Sequence, residues 1–397
     1  MPKRALHRRN YMPGKFRLPL IWTFLIALCA YCAHAATGTL LTGSTYYPRL
    51  VRITHGPMSA NGHILANTNG KIFLSKDDGQ SFALLIEVPI RSGTRLLCCE
   101  ALYELPQSVG TLPAGTLIFG ASVKIGEVPA IDLYTSSDQG VHWAYHSTPV
   151  AGLGEKGRGG LWEPEFTIAK DNALVMFWSD ETYSCCSQKL AKIRTFDGVT
   201  WKDQSDTVTS TIEADRPGMI IVSKLPTGEY FMSYEICGDP LTGHKCAAYY
   251  RTSRDGWDYG RAHDLGRRIE TADGRYFEHA PANIWSPSPL SANGVLLVVG
   301  QVLHNADGSV AAQNGTVIFE NSLLDGSGPW RPLTAPVEVP NSYDNFCPNY
   351  SSALLPTQDG AGLLEFASDY YAVKQCGTFF AARNWKSLMQ NTPASTP

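Results

Sequence analysis

Ser75-Lys76-Asp77-Asp78-Gly79-Gln80-Ser81-Phe82 and Ser136-Ser137-Asp138-Gln139-Gly140-Val141-His142-Trp143 are two copies of one pattern, S-x-D-x-G-x-x-aromatic. Each residue type suits a tight hairpin turn. The Asp carboxylate accepts backbone N–H groups, Gly takes a positive φ without steric cost, and the aromatic packs between strands. Looser copies follow at Asp197-Gly198-Val199-Thr200-Trp201, at Ser253-Arg254-Asp255-Gly256-Trp257 and from Asp325-Gly326 to Trp330. The aromatic ends fall at Phe82, Trp143, Trp201, Trp257, Trp330 and Trp385, in steps of 61, 58, 56, 73 and 55 residues.

A second repeat runs in phase with the first. It consists of two apolar, β-rich runs about a turn: 50–53 and 64–66 about Asn61-Gly62, 166–168 and 174–178 about Asp171-Asn172, 219–225 and 230–234 about Pro226-Thr227-Gly228, 353–355 and 363–366 about Asp359-Gly360. Short strands, turn signals and no helical pattern of useful length predict an all-β chain. About four strands per unit and a unit of this length imply a propeller, and six copies imply a six-bladed β-propeller over residues 36–390.

The composition agrees. The 397 residues are only 17% charged and contain 36 Gly, 25 Pro, 18 Tyr and 9 Trp, which excludes coiled coil, collagen and long disorder. Residues 1–35 read as a signal peptide: a basic start (Lys3, Arg4, Arg8, Arg9, Lys15, Arg17), an apolar run at 18–31 and an Ala33-His34-Ala35 cleavage site. Residues 391–397 are expected to be a tail. Without the signal, 27 basic residues face 36 acidic ones, a net charge of −9. Nucleic acid and anionic membranes need clustered Lys and Arg, so neither is an expected partner. The expected form is a secreted, extracellular monomer acting on a neutral oligosaccharide or polysaccharide, with no membrane contact after cleavage.

Cys98, Cys99, Cys185, Cys186, Cys237, Cys246, Cys347 and Cys376 remain after signal removal. An even number in an exported chain predicts disulfides, with the two adjacent doublets cross-paired because a ring between neighbours is strained. Cys237 with Cys246, and Cys347 with Cys376, are the other expected pairs. Asn314-Gly315-Thr316 and Asn349-Tyr350-Ser351 are glycan acceptor sequons. His55, His244 and His279 lack metal-ligand spacing, so neither metal nor cofactor is expected.

In a hairpin the start of the first strand and the end of the second lie together. This gathers Trp162, Glu163, Glu165, Asp180 and Glu181 of the third unit, Arg216, Tyr234 and Glu235 of the fourth, Arg49 of the first and Glu100 of the second at one opening of the ring. Glu165 is expected to point away from Glu163, as a support or into solvent. Carboxylates beside aromatics suit sugar chemistry. Glycoside cleavage needs one carboxylic acid to protonate the leaving oxygen and one carboxylate as nucleophile or base, and aromatic faces stack on the sugar. Trp162, Tyr234, Trp285 and Tyr350 are the candidate stacking residues, and Arg49, Asp180, Glu181 and Arg216 the candidate hydroxyl-binding ones.

Leu161-Trp162-Glu163-Pro164, Phe177-Trp178-Ser179-Asp180-Glu181, Arg216-Pro217-Gly218-Met219 and the stretch 225–235, ending Ser233-Tyr234-Glu235, resemble the exo-α-1,5-L-arabinanases of glycoside hydrolase family 93. The S-x-D-x-G-x-x-W turns likewise resemble the Asp-box, or BNR repeat, of the sialidase superfamily. The family resemblance runs from about Thr45 to Trp385. It implies a retaining glycosidase, active in arabinan degradation, that releases arabinobiose, with Glu163 as general acid/base and Glu235 as nucleophile. The cysteine-containing stretch Tyr183-Ser184-Cys185-Cys186-Ser187 departs from the family pattern and touches substrate length and fine specificity. Two alternatives share the scaffold. A sialidase needs a tyrosine nucleophile and three arginines around the substrate carboxylate, and a sugar-binding lectin has no use for two converging carboxylates.

Overall fold

A computed structural model describes residues 36–238 and 243–390. The expected signal peptide, its cleavage site and the tail at 391–397 lie outside the described residues. Twenty-six strands and one short helix, Trp385–Met389, make up the described fold. They form six antiparallel sheets, one per sequence unit, arranged as a six-bladed β-propeller. Among the described residues, no helix is long and apolar enough to cross a membrane.

Each of the first five blades runs as a meander in chain order. The third is the most regular: Leu161–Ile168, Leu174–Asp180, Lys189–Thr195 and Lys202–Val208. The fourth begins with Arg216–Lys224, Tyr230–Cys237 and Ala247–Ser253, but its fourth strand, Arg267–Arg268, is only two residues long. An insert, Tyr276–Glu278 paired with Val302–His304, extends this sheet and accounts for the one long step of 73 residues in the repeat. The sixth blade takes its outer strand from the other end of the chain: Thr39–Gly43 pairs with Gln375–Asn384, so the ring is closed by hydrogen bonds between chain termini.

The Asp-box turns form between third and fourth strands as their chemistry requires. In the second blade the Asp138 Oδ1 accepts the Ser136 hydroxyl at 2.8 Å and the His142 N–H at 2.9 Å, while the Ser136 Oγ accepts the Gly140 N–H at 3.0 Å. Gly140 has φ 85°. Thr195 takes the serine's place in the third blade, bonding Asp197 at 2.9 Å and accepting the Gly198 N–H at 3.0 Å. The sixth aromatic, Trp385, ends no such hairpin. It opens the short helix, whose first turn is capped by the Asn384 side chain.

The core lies between blades. Ile118 and Ile131 of the second blade pack with Phe166 and Trp178 of the third. The Phe82 ring of the first blade's Asp-box meets Phe366 and Phe380 of the sixth edge-on, each at 5.0 Å.

Two expectations are corrected here. The cysteine doublets do not cross-pair: Cys98 bonds Cys99 and Cys185 bonds Cys186. Cys98 and Cys99 stand on the second blade's first strand, Thr94–Glu104, whereas Cys185 and Cys186 follow the second strand of the third blade, so the doublets belong to different sheets. Cys237–Cys246 and Cys347–Cys376 pair as expected. Both sequon asparagines are buried. The Asn314 amide donates to the Ser342 carbonyl at 2.6 Å, and the Asn349 amide to the Gly300 carbonyl at 3.0 Å, so neither side chain is presented for a glycan.

Candidate active site

All six blades carry a left-handed, non-glycine residue within or just before their first strand. Tyr47, Cys99, Glu163, Met219, Ala280 and Ser351, one per blade, have φ of 62°, 65°, 58°, 61°, 47° and 53°. Strand register slips at these points in the second, third and fourth blades. A bulge of this kind re-aims the side chain it carries. A non-glycine residue in left-handed conformation costs about 1–3 kcal/mol and tends to collect at functional sites.

Glu163 is the acidic member of this ring and is buried. Its Oε2 accepts the Ser179 hydroxyl at 2.6 Å and the Met219 N–H at 3.0 Å. Burial pushes its carboxyl up to about 7; the Glu235 charge acts in the same direction, while the donors from Ser179 and Met219 oppose it. Glu235 pairs across the fourth blade with Gly218, the residue before Met219, which puts the two carboxyl groups on adjacent blades at one end of the ring. The Glu235 Oε2 accepts the Ala280 N–H at 2.6 Å and lies 3.7 Å from His279 Nδ1. On its far side the imidazole approaches Asp344 at 3.5 Å. Burial opposes the charged imidazole, yet Glu235, Asp344 and Glu278 together raise His279 above its ordinary value.

Arg49 is buried beside the pair. Its guanidinium sits 3.9 Å over the Tyr47 ring and donates to the Ser351 hydroxyl at 3.0 Å. Glu165, expected as a support or in solvent, lies just past the bulge at Glu163 and is half-buried; its Oε1 accepts the Val222 N–H of the next blade at 3.2 Å, and it feels the Arg49 charge. Burial pushes the Glu165 carboxyl up to about 7, and does the same to Glu100.

Glu181 joins two of the expected binding residues, accepting from Trp162 Nε1 at 2.8 Å and from Arg216 Nη2 at 2.5 Å. Arg216 also reaches Ser187 at 2.8 Å and Gln188 at 3.0 Å. Tyr350 stands over the carboxylates: its ring packs against Phe346 at 5.5 Å, its phenol is raised by burial and by both Glu163 and Glu235, and its hydroxyl approaches the Met219 sulfur at 3.9 Å. Three expected binding residues are not brought to this group. Asp180 spends its Oδ1 on the N–H and hydroxyl of Thr182, capping a turn. Tyr234 is fully buried, with its hydroxyl on the Leu265 carbonyl and its ring stacked on Tyr249 inside the blade. Trp285 bonds the Asn293 carbonyl at the hairpin end of the fifth blade, the opposite end of that strand from Ala280. Ser179 was quoted only as part of a motif, His279 was weighed only as a metal ligand, and Asp344 was not singled out from sequence. The repeat phase carries a signal for His279, which directly precedes Ala280.

Cys237, Cys246 and His279 have potential ligand atoms within 4.8 Å of one another, but the two sulfurs are joined to each other and thiolate is the ligating form. The centre of the site is therefore two carboxyl groups from neighbouring blades, one of which keeps its proton to near neutrality. Such a pair can deliver a proton to an oxygen on one side of a bond while offering a carboxylate on the other.

No protein-family model and no curated sequence compared with the chain gives a match. Solved structures do. An α-L-arabinanase of Penicillium chrysogenum, in complex with arabinobiose, aligns with a TM-score of 0.73 at 25% identity, over 89% of this chain and 99% of that one. A family 93 α-L-arabinofuranosidase of Fusarium graminearum, also with arabinobiose, aligns at 0.72 with 21% identity, over 89% and 98%. A sialidase of Streptococcus pneumoniae shares the fold at 0.55 and 11%, over 90% of this chain and 71% of its own. Over most of its length the chain is thus structurally similar to the α-L-arabinanases and α-L-arabinofuranosidases of glycoside hydrolase family 93.

Proposed function

We propose that this protein is a secreted, exo-acting α-1,5-L-arabinanase that releases arabinobiose with retention. In this reading Glu163 is the general acid/base and Glu235 the nucleophile. The observation that carries it is the buried Glu163 carboxyl, raised to about 7 and lying beside the carboxylate of the next blade. Protonated Glu163 gives its proton to the glycosidic oxygen as Glu235 attacks the anomeric carbon. Glu163, now ionised, then takes a proton from the water that releases the sugar. The hydrogen bonds of Ser179 and Met219 to Glu163 favour the ionised form that this second step needs. Tyr350 and Trp162 offer ring faces to the sugar, and Arg49, Glu181 and Arg216 offer polar contacts. The preference for arabinan, the exo action and the biose product rest on the family resemblance and on the Penicillium alignment. Arg49 is held by Ser351 and Arg216 by Glu181, which does not suit the substrate-carboxylate clamp of a sialidase.

The test is hydrolysis of linear arabinan by the parent chain and by Glu163→Gln and Glu235→Gln, with products separated by chromatography. The parent is expected to give arabinobiose as the early product, and each variant to lose at least about 10²-fold in rate. Near-parental rates in either variant remove its assigned role, and release of sialic acid from a sialyl glycoside refutes the substrate.

A further inference from the structure

The Cys98–Cys99 disulfide has no evident structural purpose. A disulfide stabilises mainly by closing a chain loop in the unfolded state, and the effect grows with the length of that loop. Cys347–Cys376 spans 29 residues, whereas Cys98–Cys99 joins neighbours and closes none. Its position, however, is specific. Cys99 is the second blade's member of the positive-φ ring that includes Glu163, and the register of its strand slips on both sides of Cys98. Cys99, Tyr47, Met219 and Ala280 form one apolar cluster, with Cys98 and Tyr350 packed against it. Two members of that cluster donate their backbone N–H groups to the reacting pair, Met219 to Glu163 and Ala280 to Glu235. The bridge is therefore part of the apolar lining of the opening at which the two carboxyls lie. Cys98 is half-buried and Cys99 buried, so the bridge sits at the edge of that lining.

A bonded pair of sulfurs is polarizable, offers no N–H or O–H donor and, tied to the neighbouring residue, has little freedom to lose when a ligand settles on it. A furanose ring has a face of C–H groups and an edge of hydroxyls. The polar side of this opening, with Arg49 and Glu165, suits the edge, and the sulfurs suit the face. We infer that the Cys98–Cys99 disulfide is an apolar platform for the C–H face of the pentofuranosyl unit bound beside Glu163; this rests on the arabinanase reading above. The bridge then sets affinity and the preference for a flat five-membered ring, while the carboxyls do the chemistry.

The experiment compares the full-length parent with Cys98→Ala/Cys99→Ala, Cys98→Ser/Cys99→Ser and the single Cys98→Ala, by steady-state kinetics on linear arabinan and by thermal melting. The platform is an interaction made equally in ground and transition states, so the alanine pair is expected to raise KM about tenfold with kcat little changed. The serine pair, which puts hydroxyls where the sugar is apolar, is expected to raise KM further, and the single variant to follow the alanine pair. Because no loop is opened, melting temperatures should stay within about 2 °C of the parent. A parent that hydrolyses arabinan together with variants of unchanged KM overturns the platform and leaves the arabinanase reading standing. A large fall in melting temperature in all three variants also overturns it, since the bridge is then structural. A parent inert to arabinan overturns the functional reading and the sugar assigned to the platform with it.

Discussion

Glu163 combines three features that are unfavourable in isolation: burial, a left-handed backbone and a carboxylate neighbour. Burial first, and the Glu235 charge with it, hold a proton on an acid that would otherwise lose it near 4.5. The sign of the resulting pH dependence follows. A general acid works only while protonated, so kcat/KM on arabinan is expected to fall as pH rises through about 7. Ser179→Ala removes a donor that favours the ionised carboxylate, so the alkaline limb should move to higher pH; a limb unmoved in that variant contradicts the assignment to Glu163. The acidic pair and its aromatic and arginine neighbours were legible in the sequence because hairpin geometry says which residues share an end. Single side chains were less so. Tyr234 precedes Glu235 in the same strand, so strand alternation turns its ring into the blade, whereas the bulge at Glu163 breaks the alternation that would relate Glu165 to it.

At the scale of elements, the Asp-box was fully legible, since Ser, Asp, Gly and aromatic each act within eight residues of one another. Asp138→Ala removes the acceptor for the Ser136 hydroxyl and the His142 N–H. It is expected to lower stability by about 1–2 kcal/mol without changing kcat, measurable by denaturant titration beside a turnover assay. The bulges near the starts of the inner strands were not legible. Their cause is tertiary: each displaced residue answers to neighbours on other blades, as Glu163 answers to Met219. The vicinal disulfides escaped for a related reason. Sequence spacing does not reveal that one doublet lies within the second blade's first strand and the other in the loop after the third blade's second strand, each paired within itself.

The whole molecule is a ring fastened by its own N-terminal strand. Deleting residues 36–44 removes Thr39–Gly43 and exposes the edge of Gln375–Asn384, so the melting temperature of the entire chain is expected to fall, by about 10 °C or more, in one transition. An unchanged melting curve contradicts closure by that strand. Six blades were countable from the aromatic steps, but the closing strand was not, because it lies outside the repeat. Buried carboxyls give the ring a second global property. Burial raises Glu100, Glu163 and Glu165 to about 7 and Glu365 to about 8. The folded chain keeps these protons while the unfolded chain releases them near 4.5, so stability should decline as pH rises from about 4.5 towards 8. Carboxylates held low by hydrogen bonds, such as Asp197 with the N–H groups of Thr200 and Val199, act in the opposite direction, but only as pH falls below about 4. Melting is thus expected to be higher at pH 5 than at pH 8, and Glu365→Gln should reduce the difference.

The most direct measurement is the covalent trapping of the sugar. Glu163→Gln, incubated with a 2-deoxy-2-fluoro-arabinosyl donor bearing an activated leaving group and analysed by intact and peptide mass spectrometry, is expected to carry one glycosyl adduct on the peptide containing Glu235. A stable adduct on any other residue, or sugar released with inverted configuration and no adduct, contradicts the account.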